Sequence, residues 1–273
     1  MTPMTEPILS RAQAAPPSRG VRLAWLIPGA ILAVAALGWG TYNVLTLLAH
    51  EERTERAVFA ADEVRSIDIA NENGFVHVTG ADTDEIVVTA EISDGWTSTD
   101  VGMHVVDGVL EVRGSCSVLG NPWCSSDFTV VVPADLPVRV DASNGSVEAS
   151  GLHGSVDLDT DNGHIEFADV SGTIKVTNDN GRIVGRRIGA STVAASTDNG
   201  RIELTFAEPP DDVRARSRNG RIEVAVPDDE VIYRVELATG NGSQHIGVRT
   251  DPASPHTIDL ATRNGSVSVH RPG

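Results

Sequence analysis

Positive charge is what this chain has least of. Lys175 is its single lysine, and Lys+Arg total 21 against 38 Asp+Glu, a formal net charge of −17. A general nucleic-acid binder needs a basic footprint to neutralise phosphate, so that class is excluded as a partner. Aromatic residues are only 4%. A sandwich or barrel interior leans on large rings, so the core here must be filled by small and branched aliphatics. The motifs that announce common catalytic chemistry are missing too. The eight histidines are scattered with no H-x-H or H-E-x-x-H, and there is no G-x-S-x-G and no P-loop. Hydrophobic residues still make up 40% of 273 positions, enough to exclude wholesale disorder and to build one large all-β domain or two ordinary ones.

One long uncharged stretch is present, Leu23 to Ala49. About 20 apolar residues suffice to cross a bilayer core, so the expectation is a transmembrane helix over 23–48, centred on Leu23–Val44. Trp25, Trp39 and Tyr42 suit the two interfaces, and Pro28 sits in the first turn, where a missing amide donor costs little. Arg11, Arg19 and Arg22 precede the run against Glu6 alone, while HEERTER follows it. That bias places residues 1–22 in the cytoplasm as a tail, and the remainder outside a bacterial cell membrane as a single-pass protein. A cleaved signal peptide, with Val58 and Ala60 before the cut, is the competing reading; the apolar run is long for one. Residues 49–61 then read as a short polar stalk.

Cys116 and Cys124 are the only cysteines. Outside the membrane, a disulfide stapling the loop around Gly120-Asn121-Pro122 is the natural reading, against two free thiols. The spacing is not C-x-x-C, and no second Cys pair or spaced His pair points to zinc.

The feature that decides the fold is Asn-Gly. It occurs at Asn73, Asn144, Asn162, Asn180, Asn199, Asn219, Asn241 and Asn264, the last seven separated by 18, 18, 19, 20, 22 and 23 residues. Such internal periodicity marks a repeat architecture. After each Asn-Gly comes one residue and then alternating apolar positions, as in Ile165/Phe167 or Ile202/Leu204. About nine residues on, a second short alternating run follows, as in Ile174/Val176 or Val213/Ala215. Alternation at period two is a strand with one buried face. Neither half-repeat can bury its face alone, so equivalent segments should stack at the inter-strand spacing of about 4.8 Å. The fold class expected is therefore an all-β, β-solenoid (β-helix) domain over 62–273. Its coils hold 18–23 residues and two short strands each, regular over 141–270 and less so over 62–140. Asn and Gly both tolerate left-handed turns, and stacked Asn144, Asn162, Asn180, Asn199, Asn219, Asn241 and Asn264 could form a hydrogen-bonded turn ladder.

The apolar helix, the run I-D-I-x-N-x-N-G-x-V-x-V at Ile67–Val78, V-V-V-P-x-D-L-P-V at Val130–Val138 and the repeated N-G-x-[IV] coils together resemble the bacterial putative-adhesin family of unknown function. The resemblance covers about residues 62–270. It implies a membrane-anchored β-solenoid ectodomain and carries over no catalytic residue. The Asn-Gly turns, where relatives often show Ser-Gly, and the cysteine loop depart from that family.

Two outward columns follow from the repeat. The residue after each Asn-Gly reads Ser146, His164, Arg182, Arg201, Arg221, and two residues on it reads Glu148, Glu166, Val184, Glu203, Glu223. An array of Arg182, Arg201 and Arg221 with Glu203 and Glu223, helped by Arg214, Arg216 and Arg218, could grip an anionic polymer by bidentate bonds. The plainer reading is a solvated ladder whose exposed pairs contribute about 0–1 kcal/mol each. Asp161, Asp179 and Asp198 precede three Asn-Gly pairs; ordinary Asx-turn capping competes with a calcium column there. No metal and no cofactor is assigned. The function expected is noncatalytic: a membrane-anchored cell-surface adhesin or envelope-polymer-binding protein, whose partners are the lipid bilayer and an envelope polymer, glycan or protein. A scaffold or sensor in envelope-stress signalling and a polysaccharide-active β-helix enzyme are the alternatives.

Overall fold

The computed structural model describes residues 19–48, 51–94, 99–116, 124–227 and 230–272. The chain divides into two units, Met1–Ala49 and His50–Gly273. In the first, helix α1 spans Arg19–Leu48. Among the described residues no helix is long and apolar enough to cross a membrane. This overturns the transmembrane helix over 23–48, and with it the bilayer partner, the cytoplasmic tail and the single-pass location in a cell membrane. Freedom from charge over Leu23–Ala49 is a weaker property than the sustained apolar length that a bilayer core demands.

Among the described residues, the regular elements of the second unit are all strands apart from one 3-10 turn, Ala61–Glu63. Its less regular part holds β1 (Glu51–Ala60), β2 (Ser66–Asn73), β3 (Val76–Ala81), β4 (Glu85–Asp94), β5 (Asp100–Val106), β6 (Val109–Ser115) and β7 (Ser125–Pro133). Then come paired strands: β8 (Val138–Asn144) with β9 (Val147–Ser150), β10 (Val156–Asn162) with β11 (Ile165–Ala168), and β12 (Ile174–Asn180) with β13 (Ile183–Ile188). After these follow β14 (Thr192–Asn199) with β15 (Ile202–Phe206), and β16 (Asp212–Asn219) with β17 (Ile222–Ala225). The last two pairs are β18 (Arg234–Asn241) with β19 (Gln244–Ile246), and β20 (Thr257–Asn264) with β21 (Val267–His270). Each pair is one coil, and the coils stack into a β-solenoid with two sheets. The orders are β1-β4-β7-β3-β9-β11-β13-β15-β17-β21-β19 and β18-β20-β16-β14-β12-β10-β8-β2-β6-β5.

Sequence order and stacking order part company at both ends. The coil β2/β3 lies between β8/β9 and β6/β7. The final coil β20/β21 is inserted between β16/β17 and β18/β19. Asn219 therefore stacks on Asn264, and Asn241 is the outer rung. The expected polar stalk is also a strand. Glu51–Ala60 pairs antiparallel with β4 and forms an edge of the first sheet. Its lone half-buried face, Arg53, Glu55, Ala57 and Phe59, carries too little apolar character to read as a strand.

Inward side chains of the two sheets meet in one aliphatic core, as alternation at period two requires. Ile165 and Phe167 of β11, Ile174 and Val176 of β12, and Ile202 and Leu204 of β15 are all buried. Leu152, Val170, Ile188 and Phe206 are buried as well, at or beside the corner between coils. Burying one such side chain stabilises the fold by about 1.5–3 kcal/mol. The Phe167 ring has room because Gly185 faces it; a Cβ there would lie 2.5 Å from the ring. At Val184, assigned above to the outward Glu column, the side chain is buried. The pairing of β13 with β15 shifts between Gly185 and Ile188, and this bulge breaks the alternation that the neighbouring coils keep.

Candidate functional site: the Asn-Gly corner and the groove beside it

Three sets of hydrogen bonds build the corner. The glycine N–H donates to the asparagine carbonyl of the adjacent coil, as in Gly163 to Asn180 at 3.1 Å and Gly181 to Asn199 at 3.0 Å. The asparagine side chains form a directional ladder. Asn162 donates to Asn144 (3.3 Å), Asn180 to Asn162 (3.2 Å), Asn199 to Asn180 (3.0 Å) and Asn219 to Asn199 (2.9 Å). Asn264 then donates to Asn219 and Asn241 to Asn264, each at 2.8 Å. Beneath them, buried Thr160, Asn178, Ser217 and Thr262 donate to the carbonyls of Gly145, Gly163, Gly200 and Gly220. Glycine is required by close approach: at Gly181, where φ is +154°, a Cβ would lie 1.5 Å from the Gly163 carbonyl oxygen.

Beside this corner a shallow groove of about 510 Å³ crosses β12, β14, β16 and β20. Four stacked strands span roughly 15 Å. Its walls carry Asp179, Asp198, Arg216, Arg218 and Arg263 together with Ser and Thr hydroxyls, and no aromatic ring. Arg218 Nη1 meets Asp198 Oδ2 at 2.6 Å, and Arg216 is bound to Asp259. The Arg263 side chain makes no hydrogen bond or ion pair among the described residues. At the opposite side of the groove, on β12, the Oδ1 of buried Asn178 has no partner among the described residues; a buried acceptor left unmet costs about 1–3 kcal/mol.

The sequence-derived residues are distributed differently. Arg182, Arg201 and Arg221 do stand on successive rungs, one residue before the register-matched Ile183, Ile202 and Ile222. Arg201 is bound to Glu203 at 2.7 Å, and that hydrogen bond raises its pKa. Glu223, however, turns to His270 Nε2 at 2.9 Å rather than to Arg221. Arg221 instead donates to Ser266 Oγ at 3.1 Å. Both His270 and Ser266 belong to the inserted coil, which spacing alone puts elsewhere. Arg182 has no polar partner among the described residues. Asp198 of the aspartate column is paired with Arg218. Among the described residues no group of three or more His, Cys, Asp or Glu comes together to hold a metal. Cys116 and Cys124 are bonded, with their Cα atoms 5.8 Å apart.

Arg263 is the groove residue that sequence reasoning missed. It lies 45 residues from Arg218 in the chain; both precede an Asn-Gly and so share one column, but with the Gly240-Asn241 turn between them in sequence, only the insertion of β20 against β16 makes the two neighbours.

These features define the class of the second unit: a β-solenoid with an amide ladder and a polar groove. No family model matches the chain, and no curated protein matches it; with no described helix able to cross a membrane, the expected resemblance to a membrane-anchored family does not hold. Solved structures similar to it include a putative adhesin from Bacteroides fragilis NCTC 9343, with TM-score 0.46 and 16% identity over 80% of this chain and 97% of that one. A putative cell adhesion protein from Clostridium sporogenes ATCC 15579 has TM-score 0.39 and 10% identity, over 81% and 100%. A putative lipid binding protein from Parabacteroides distasonis ATCC 8503 has TM-score 0.41 and 12% identity, over 80% and 96%. The solenoid assignment itself stands on the strand pairing of this chain.

Proposed function

We propose that the solenoid is a noncatalytic binding module that takes an extended anionic chain, such as an acidic glycan, along the groove across β12, β14, β16 and β20. The observation that carries this reading is Arg263, whose side chain is unpaired among the described residues and stands beside Arg218, over the buried hydroxyls of Thr262 and Ser217. A guanidinium is always charged and presents a planar fork that matches carboxylate and phosphate. The absence of aromatic walls disfavours neutral sugars, whose rings would stack there. The Arg182/Arg201/Arg221 column with Glu203 and Glu223 serves this purpose less well, because Arg201 and Arg221 are already engaged.

Binding to an array of charged and neutral glycans tests the reading. Arg263→Ala should weaken binding of a carboxylated or phosphorylated chain by about 10- to 100-fold, the loss of one or more charge-assisted hydrogen bonds. Arg182→Ala should leave it unchanged. Equal binding by the wild type and Arg263→Ala removes the groove from consideration. Release of reducing ends from the bound chain would replace a binding module with a polysaccharide-cleaving enzyme.

A further inference from the structure

Eight Asn-Gly sequences in one chain pose a chemical hazard. The glycine nitrogen next to an asparagine can attack the side-chain amide carbon, because glycine offers no side chain to obstruct it. The fold answers this at seven of the eight. The N–H groups of Gly74, Gly145, Gly163, Gly181, Gly200, Gly220 and Gly265 each donate to an asparagine carbonyl on the adjacent rung, at 2.8–3.1 Å. An amide held in that bond must first break it to become a nucleophile. Gly242 is different. It follows Asn241 on the outer rung, where among the described residues no further coil supplies a carbonyl and its N–H has no hydrogen bond. It is also the one exposed glycine among the eight; the other seven are half-buried.

We propose that Asn241–Gly242 is the site at which this protein spontaneously deamidates. The Gly242 nitrogen bonds to Asn241 Cγ, and the Cγ–Nδ2 bond breaks. The side-chain nitrogen leaves as ammonia, carrying the proton that Gly242 loses. Water then opens the resulting cyclic imide at either carbonyl, giving aspartate or isoaspartate, with no oxidant or reductant required. The product removes the donor that Asn241 presents to Asn264 Oδ1 at 2.8 Å and puts a carboxylate against that oxygen. Because every amide in the ladder points the same way, the neighbours cannot turn to donate without reversing the bonds down the column. Modification therefore detaches the outer rung from the ladder.

The sequence contains its own controls. Asn144, Asn241 and Asn264 all stand in the identical tripeptide Asn-Gly-Ser, so local sequence predicts equal rates. The full chain is incubated at mildly alkaline pH and mapped by peptide mass spectrometry, with isoaspartate-specific methylation as a second readout. In the folded protein Asn241 should react at least about tenfold faster than Asn144 and Asn264, since each 1.4 kcal/mol of opening free energy slows those sites tenfold. In strong urea the three rates should converge. Asn241→Gln should abolish the early product without accelerating any other site. Equal rates in the folded state overturn the proposal. A lead for Asn241 that persists in urea also overturns it, because the selectivity would then not come from the fold.

Discussion

The two ends of the solenoid solve the same problem in opposite ways. A stack of parallel strands leaves a row of unpaired backbone groups at each end, and such edges invite association. At one end the chain adds antiparallel strands. β1 and β4 extend the first sheet and β5 extends the second. Arg53 ties β1 to Asp94 of β4 at 2.9 Å and donates to the Thr99 carbonyl at 2.8 Å. The Cys116–Cys124 bridge staples the loop nearby. Among the described residues the other end has none of this. β18 and β19 form a bare outer rung whose Val235 and Leu237 are only half-buried and whose Ile246 is exposed. Capping is thus a local addition that the repeat does not supply. The uncapped end is where the ladder, the core and the glycine N–H bonds all run out.

The largest test of that contrast uses one residue type on adjacent rungs. Leu260 and Leu237 are register partners, but Leu260 is fully buried. Leu260→Ala should cost about 2–5 kcal/mol, whereas Leu237→Ala should cost about half of that or less. Urea unfolding of the two variants measures both; equal losses would mean that the outer rung is as well packed as the one beneath it.

The capped end can be weakened separately. Replacing Cys116 and Cys124 by serine opens a loop whose ends are 8 residues apart. The chain-entropy account gives about 2–3 kcal/mol for that change. Hydrogen exchange should then rise in β6 and β7 while β18 is unaffected, and exchange rising evenly along the solenoid would contradict a local staple.

The ladder makes a smaller difference. Asn199→Ala removes two amide–amide bonds and Asn241→Ala removes one. At about 0.5–1.5 kcal/mol per bond, the mid-stack loss should be near twice the outer one. Equal thermal shifts would show that the amides add nothing beyond the backbone bonds.

The smallest effects depend on pH and have opposite signs. Burial pushes the Asp94 carboxyl up, but the Thr99 amide and hydroxyl and the Arg53 guanidinium together outweigh it and hold its pKa below 3.8. A folded pKa below the unfolded one means that its stabilisation is present above about pH 3.8 and is lost as pH falls through the folded value. Asp159, in the regular stack, is raised instead, first by burial and then by the charges of Asp141 and Asp157, with Lys175 opposing. Its ionised form costs stability above the folded pKa, and the cost disappears below about pH 3.8. Asp94→Asn should therefore destabilise and Asp159→Asn stabilise at neutral pH, with both differences shrinking towards about pH 3. Two variants that shift in the same direction at neutral pH would show that one assignment is inverted.

Much of the regular stack is readable from residues alone. Alternating positions such as Val156/Leu158 and Ile183 predict the strands, and the Asn-Gly spacing predicts which side chains lie over one another from Asn144 to Asn219. The N-terminal run misleads because it is free of charge over Leu23–Ala49, whereas no described helix is long and apolar enough to cross a membrane. β1 is illegible because EERTERAVFA buries no face fully; it is a strand because β4 offers it an edge. The groove is half legible: Arg216 and Arg218 stand out as a cluster, but Arg263 does not.

Local sequence decides how each coil is made: an aliphatic alternation for the walls, asparagine for the side-chain ladder, and glycine where a neighbouring carbonyl leaves no room for a Cβ. It does not decide the order in which coils are stacked. Their corners and apolar columns are nearly interchangeable, so a segment of 22 or 23 residues fits against several rungs equally well by pattern. Only the completed structure slides Thr257–His270 between its predecessors, because that arrangement buries Ile258, Leu260, Val267 and Val269 from both sides and leaves the weaker coil, with its half-exposed Val235 and Leu237, to face water.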